Sequence, residues 1–144
     1  MPFLLLFVSV VAITARATNL SPLGTPRPCG AASDVTADTT IDATVQPPSP
    51  LIRFRANDGP SYPPLLRDRG VEGKVRATFV FDTSGRVVPG SAYVLAESHP
   101  EFGAAVCTFL RRAAFTPARI DGHRRSVRVV GMGFRFSLGR RPSE

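Results

Sequence analysis

The segment KVRATFVFD, from Lys74 to Asp82, constrains the fold of this chain more than any other feature. Its residues alternate between two faces, and one face carries Val75, Ala77, Phe79 and Phe81. A repeat of two residues is typical of a β-strand with one buried face. The turn-forming sequence DTSG follows directly, so we expect a hairpin whose second strand lies within residues 86–96.

Two helical patterns accompany this hairpin. In the first, Pro63 and Pro64 fit the opening turn of a short helix, LLRDR forms its body and Gly70 ends it. The second begins with Ser98 as the expected N-cap and continues through PEFGAAVCTFLRRAAF. Its apolar residues recur at helical spacing and predict one buried stripe: Phe102, Val106, Phe109, Leu110 and Ala113.

The last apolar segment, SVRVVGMGFRFSL, predicts a third strand. Val127 and Val129 lie on one parity and the later apolar residues on the other, with Gly131 and Gly133 where the parity changes, which predicts a β-bulge. The order helix, strand, strand, helix, strand predicts a two-layer α+β fold. In it, both helices pack on one face of a three-stranded antiparallel sheet, with the final strand at an edge.

The N-terminal segment determines the expected compartment. An apolar run from Phe3 to Ile13 precedes Ala15-Arg16-Ala17, a small-x-small cleavage pattern. We interpret residues 1–17 as a signal peptide for export to the periplasm. The competing interpretation is an uncleaved inner-membrane anchor, although the run is shorter than the roughly 17–25 residues that a spanning helix needs.

The rest of the chain divides into an arm, a domain and a tail. Residues 18–61 are rich in Pro, Thr and Ser, which favours an extended linker or arm, with one short edge strand expected at Leu51 to Arg55. Residues 62–138 hold the predicted elements, and residues 139–144 form a basic tail. After export, Cys29 and Cys107 could form a disulfide; alternatively, Cys107 is a small core residue of the second helix.

Positive charge is the main compositional bias. The chain has 18 Lys and Arg against 11 Asp and Glu, and nine arginines lie between Arg111 and Arg141 with Asp121 as the single acid. Such a cluster can attract nucleic acid, anionic lipid or an acidic protein surface, or it can be a solvated face. Export and the lack of an aromatic-basic stacking platform argue against nucleic acid.

No catalytic, metal or cofactor site is predicted. His99 and His123, the only histidines, fit a helix start and a turn, and neither a third ligand nor a nucleophile with a base accompanies them. Gly70 and Gly73 precede a strand, whereas a phosphate-binding loop must open a helix. The sequence therefore favours a binding module over an enzyme.

Several motifs, taken in order, resemble the TonB C-terminal domain family. The matching residues are Tyr62-Pro63, Gly70 to Val75, Phe79 to Asp82, Gly85 to Val87, Phe102 to Ala105, Phe115 to Ala118, Gly122 and Phe134 to Phe136. The resemblance covers Tyr62 to Leu138, over half of the chain. It implies a periplasmic module that contacts outer-membrane TonB-dependent transporters and couples them to an inner-membrane motor.

The resemblance also implies a binding mode, because known members hold a short extended receptor peptide beside their last strand. An edge strand offers unpaired N–H and C=O groups for such pairing. The expected partner-binding residues are Arg124, Arg125, Val127, Arg128, Val129, Arg135 and Tyr62, although Tyr62 could instead anchor the fold. Two alternatives stay open: edge pairing into a homodimer, and a stand-alone envelope-associated structural module that binds anionic lipid or another protein.

Overall fold

The computed structural model describes residues 25–30, 41–55 and 59–139. The elements in these ranges are β1 (Arg27–Pro28), β2 (Ala43–Val45), α1 (Pro64–Asp68), β3 (Gly73–Phe81), β4 (Tyr93–Glu97), α2 (Pro100–Arg112), β5 (Ala118–Ile120), β6 (His123–Arg125) and β7 (Val127–Phe136). The predicted signal peptide and residues 140–144 of the predicted tail lie outside the described residues. Within those ranges, no helix is long and apolar enough to cross a membrane.

The fold is α+β, as predicted, but its main sheet has five strands, and the expected number of three was wrong. The strand order is β1-β4-β3-β7-β2, and β5 and β6 form a separate hairpin. All pairs of the main sheet are antiparallel except β2 and β7, which are parallel. The two additional strands of the main sheet, β1 and β2, come from the Pro-rich arm and are only two and three residues long, too short to show alternation.

The alternating side chains of β3 define the two faces of the main sheet, a core face and an open face. Val75, Ala77, Phe79 and Phe81 are at most 1% exposed and share one buried cluster with Leu66 of α1 and the apolar stripe of α2. The other parity faces away from the helices and defines the open face together with the residues opposite it. The open face comprises Lys74, Arg76, Thr78, Tyr93, Ala96, Arg128, Gly133 and Arg135, together with Val80, which is only 5% exposed.

Helix α2 packs through the stripe that its sequence predicts: Phe102, Val106, Phe109, Leu110 and Ala113 are all 5% exposed or less. Its N-cap is His99 and not the expected Ser98. The Nδ1 atom of His99 accepts a hydrogen bond from the Glu101 N–H at 3.2 Å. Ser98 instead ties the end of β4 to β3, since its hydroxyl accepts from the Lys74 N–H at 3.0 Å.

The turn that follows β3 has the chemistry expected of DTSG. The Oδ1 atom of Asp82 accepts hydrogen bonds from the N–H groups of Ser84 (2.8 Å) and Arg86 (3.1 Å). Partial burial alone would raise the pKa of Asp82, but these bonds, with those from the Ser84 hydroxyl and the Gly85 backbone, hold the pKa below its usual value. Gly85 completes the turn at a φ of 87°.

Strand β7 contains the predicted bulge. Its register with β3 shifts between Ala77 and Phe79, so that Val130 and Gly131 both oppose Thr78. Gly131 has a φ of 72°, a backbone conformation that glycine adopts without steric cost. The bulge brings two sets of apolar residues to the core face, one from each parity: Val127 and Val129, then Phe134 and Phe136.

Parts of the predicted arm pack against the domain. Cys29, directly after β1, forms a disulfide with Cys107 of α2, with their Cα atoms 5.1 Å apart. Leu51 and Ile52 pack against the buried cluster. The segment where an edge strand was expected, Leu51 to Arg55, forms an isolated bridge between Phe54 and Phe115.

Candidate partner-binding edge

On the side away from β3, the first part of β7 has a neighbouring strand and the second part has none within the described ranges. From Val127 to Val129 it pairs with β2, so the expectation that the last strand lies at an edge was wrong for these residues. After the bulge at Val130 and Gly131, the residues Met132 to Phe136 pair only with β3 within the described ranges. We call Val130 to Phe136 the free edge. Its backbone offers unpaired N–H and C=O groups on the side away from β3.

A carboxylate holds β2 in place beside β7. The Oδ2 atom of Asp42 accepts a hydrogen bond from the Ser126 N–H at 2.8 Å, and its Oδ1 atom lies 3.5 Å from Nη1 of Arg125. The N–H groups of Asp42 and Ala43 both donate to the Ser126 carbonyl, at 3.0 and 3.3 Å. The arm residue Asp42 therefore fixes where the covered part of β7 begins.

Two of the expected partner-binding residues, Val127 and Val129, are buried in the structure. The side chains of Val127 and Val129 are fully buried in the core face, and the backbone of both residues is flanked by β2 and β3. The sequence pattern missed this because Arg128 separates the two valines, and a strand at a solvent-facing edge can show the same alternation. Neither side chain is accessible to a partner.

The four arginines of the expected surface lie in two places. Arg128 and Arg135 are exposed on the open face of β7. Arg124 and Arg125 belong to β6, where Arg124 is exposed and Arg125 contacts Asp42. The cluster of the sequence is thus divided between the main sheet and the β5-β6 hairpin.

Tyr62 lies against the core and is half-buried. Its ring meets those of Phe102 and Phe136 edge-on, with centroids 5.6 Å apart in both cases, and its hydroxyl donates to the Val71 carbonyl. Partial burial raises the pKa of Tyr62, the Glu72 carboxylate raises it further, and Arg67 opposes the shift. These contacts are those of a side chain that anchors the entrance of the domain.

Two residues of the open face were missed by the sequence reasoning. Lys74 lies directly opposite Arg135, and Arg76 lies opposite Gly133. Only the register of β3 and β7 brings these cations beside Arg128 and Arg135, although the polar parity of KVRATFVFD already indicated that they are exposed.

In the part of the chain that the structure describes, no three His, Cys, Asp or Glu side chains are grouped to hold a metal ion.

Comparison with known proteins decides the family. Residues 58–138, more than half of the 144 residues, match the family described as Gram-negative bacterial TonB protein C-terminal. The chain belongs to the TonB C-terminal family. Its fold is similar to the solution NMR structure of the Pseudomonas aeruginosa TonB CTD, with a TM-score of 0.51, 24% sequence identity and coverage of 67% of this chain and 96% of that chain. No curated protein matches the chain.

The match to the TonB C-terminal family separates the domain from the strands that the arm adds. Residues 58–138 include every element from α1 to β7. Strands β1 and β2 and the disulfide partner Cys29 precede the matched residues. The strand that covers the first part of β7 therefore comes from outside the matched TonB C-terminal region.

Proposed function

We propose that this chain is a non-enzymatic periplasmic binding module that contacts outer-membrane TonB-dependent transporters by strand addition. In this function, an extended peptide segment of the transporter pairs with the free edge of β7. Membership of the TonB C-terminal family supports a role in transmembrane transport, and the apolar run from Phe3 to Ile13 supports export.

The free edge is the observation that carries this proposal. Within the described ranges, five of its seven residues, Met132 to Phe136, pair with β3 and with no other strand, and Val130 and Gly131 form the bulge. At about 3.3 Å per residue, the free edge extends over roughly 20 Å. A peptide strand beside them completes the hydrogen-bond ladder, while its side chains alternate between the two faces of the sheet. Arg135, exposed on the open face, is placed to attract an acidic side chain of such a peptide.

The arm limits the length of β7 that a peptide can use. A peptide confined to the free edge binds without moving β2. A longer peptide that also pairs with Val127 to Val129 must displace β2 and break the contacts of Asp42 with Ser126 and Arg125. The module therefore accommodates a short extended segment most readily.

Site-specific crosslinking tests the proposal. Gly133 of the free edge is exposed, and nothing lies within 4 Å of the position that a Cβ atom would take there. The full chain, with a photo-crosslinking amino acid at position 133, is mixed with synthetic peptides from the periplasm-facing segments of TonB-dependent transporters of the same bacterium. The same amino acid at the exposed Arg119 of the β5-β6 hairpin is the control.

We expect a crosslink from position 133 to at least one transporter peptide, and none from position 119. An NMR titration would locate the peptide independently, because the backbone amide signals of Val130 to Phe136 should leave the chemical shifts that they have in the peptide-free protein. If none of the peptides reacts, or if both positions react equally, strand addition at the free edge is wrong.

A further inference from the structure

Four cationic side chains share the open face of the main sheet. Lys74 and Arg76 come from β3, and Arg128 and Arg135 come from β7. Lys74, Arg76 and Val80 point to the same side of β3, and in β7 Arg135 lies opposite Lys74 and Arg128 lies opposite Val80. Residues that lie opposite each other on paired strands point to the same side, so all four cationic side chains leave the sheet on the side away from α2. Each of them is exposed. We call these four residues the cationic face.

The strands contribute no acid that neutralises the cationic face. Among the residues of the five strands the single acid is Glu97. Its carboxylate pairs with Arg27 at 2.7 Å and lies against Gly103 of α2, on the other side of the sheet. The further ion pair of the described chain joins Arg125 and Asp42. Within the described residues, the cationic face therefore makes no salt bridge.

The arrangement of these charges disfavours the isolated sheet. Lys74 and Arg135 lie directly opposite each other on neighbouring strands, and like charges in that position are destabilising. Arg76 lies over Gly131, where a Cβ atom would be 2.6 Å from its Nη2 atom, so the missing side chain makes room for the guanidinium. An external anion would relieve the repulsion, and the pattern thus fits an anionic partner.

The shape and composition of the face distinguish a lipid surface from a protein. The cavities beside Phe54, Leu51 and Cys29 include none of the four cations in their walls. In the described ranges the large exposed apolar side chains are Leu65, on α1, and Phe54, which packs on Phe109 on the core side. A protein partner takes most of its binding energy from buried aromatic and apolar anchors. A charged lipid surface needs only cations close to its headgroups.

We propose that the cationic face docks the domain onto an anionic phospholipid surface. Arg135 and Arg128 lie opposite Lys74 and Val80, which are six residues apart on the uninterrupted strand β3, so the cations extend over about 20 Å. Tyr93, half-buried on the same face, is of the residue type that favours the headgroup level of a bilayer. In this orientation α2 points away from the lipid and the free edge of β7 remains open at the side. The proposal does not depend on strand addition.

Vesicle binding of the full chain tests this docking. Sedimentation is measured with vesicles of phosphatidylcholine alone and with vesicles that also contain phosphatidylglycerol. The test variant combines Lys74→Gln, Arg76→Gln, Arg128→Gln and Arg135→Gln. The matched control combines Arg111→Gln, Arg112→Gln, Arg119→Gln and Arg124→Gln, which removes the same charge from α2 and the β5-β6 hairpin. The unchanged chain and both variants contain the apolar run from Phe3 to Ile13. Binding to vesicles of phosphatidylcholine alone therefore measures any contribution of that run.

We expect the test variant to lose roughly 600-fold in affinity for the anionic vesicles, because each cation near the surface contributes about fivefold. The control should keep most of the affinity, and added salt should weaken binding of the unchanged chain. Circular dichroism verifies that both variants fold. Equal losses in the two variants would assign the binding to net charge. Binding of soluble polyglutamate as tight as that of vesicles would assign the face to an acidic protein; either result overturns the proposal.

Discussion

Gly85 is the single residue on which the turn after β3 depends most. It has a φ of 87°, and a Cβ atom at this position would overlap the carbonyl oxygen of Phe115. The Phe115 N–H donates to the Gly85 carbonyl at 2.8 Å, so the two backbones cannot separate without losing this bond. We expect Gly85→Ala to lower the free energy of unfolding by about 3 kcal/mol, the sum of backbone strain and overpacking. Urea denaturation measures the change.

Gly70→Ala separates the two causes. Gly70 ends α1 with a φ of 66°, yet nothing lies within 4 Å of the position of its missing Cβ. This variant carries the backbone strain without the overlap, and should cost only about 1 kcal/mol. If both variants lose the same free energy of unfolding, the contact with Phe115 contributes nothing and the turn is limited by backbone conformation alone.

At the scale of elements, the length of a periodic pattern decided what could be predicted. β3 and α2 have nine and 13 residues, and their alternation and helical stripe were recognised together with the sides they bury. β1, β2, β5 and β6 have two or three residues each. Such short strands exist because of partners far away in the chain, and no local repeat can reveal them.

The parallel pairing of β2 with β7 leads to a prediction about Asp42. We expect Asp42→Ala to loosen β2 locally, because the variant removes the acceptor of the Ser126 N–H and the contact with Arg125. The amides of residue 42 and Ala43, which donate to the Ser126 carbonyl, should exchange with solvent about tenfold faster. Amides in the middle of β3 should keep their protection. Hydrogen exchange followed by NMR gives both values.

Thr44→Ala is the matched control for Asp42→Ala, since Thr44 lies in β2 with an exposed side chain. It should leave the exchange of both amides nearly unchanged. If Asp42→Ala instead accelerates exchange throughout β3 and β7, then β2 is a cooperative part of the main sheet. In that case a transporter peptide could not displace β2 without unfolding the domain.

At the scale of the whole molecule, the candidate site could not be predicted without the register of the strands, which the sequence does not reveal. The arginines from Arg111 to Arg141 form one cluster along the chain, yet the structure places Arg128 and Arg135 on the open face and Arg124 on a separate hairpin. Lys74 is more than 50 residues from Arg135 and still lies directly opposite it. Sequence patterns predict which face of a strand is exposed, whereas long-range pairing decides which exposed residues meet.

The disulfide between Cys29 and Cys107 connects the arm to α2 and should stabilise the whole molecule. It joins residues 78 positions apart, and closing a loop of that length removes about 4.5 kcal/mol of unfolded-state entropy, within a measured range of roughly 2–5 kcal/mol. Reduction of the unchanged chain keeps both side chains, so guanidinium denaturation with and without dithiothreitol isolates the crosslink. Cys29→Ala combined with Cys107→Ala should lose more, because Cys107 is only 4% exposed and its truncation leaves a cavity. A reduced chain as stable as the oxidised one would mean that the arm is held by β1 and β2 alone.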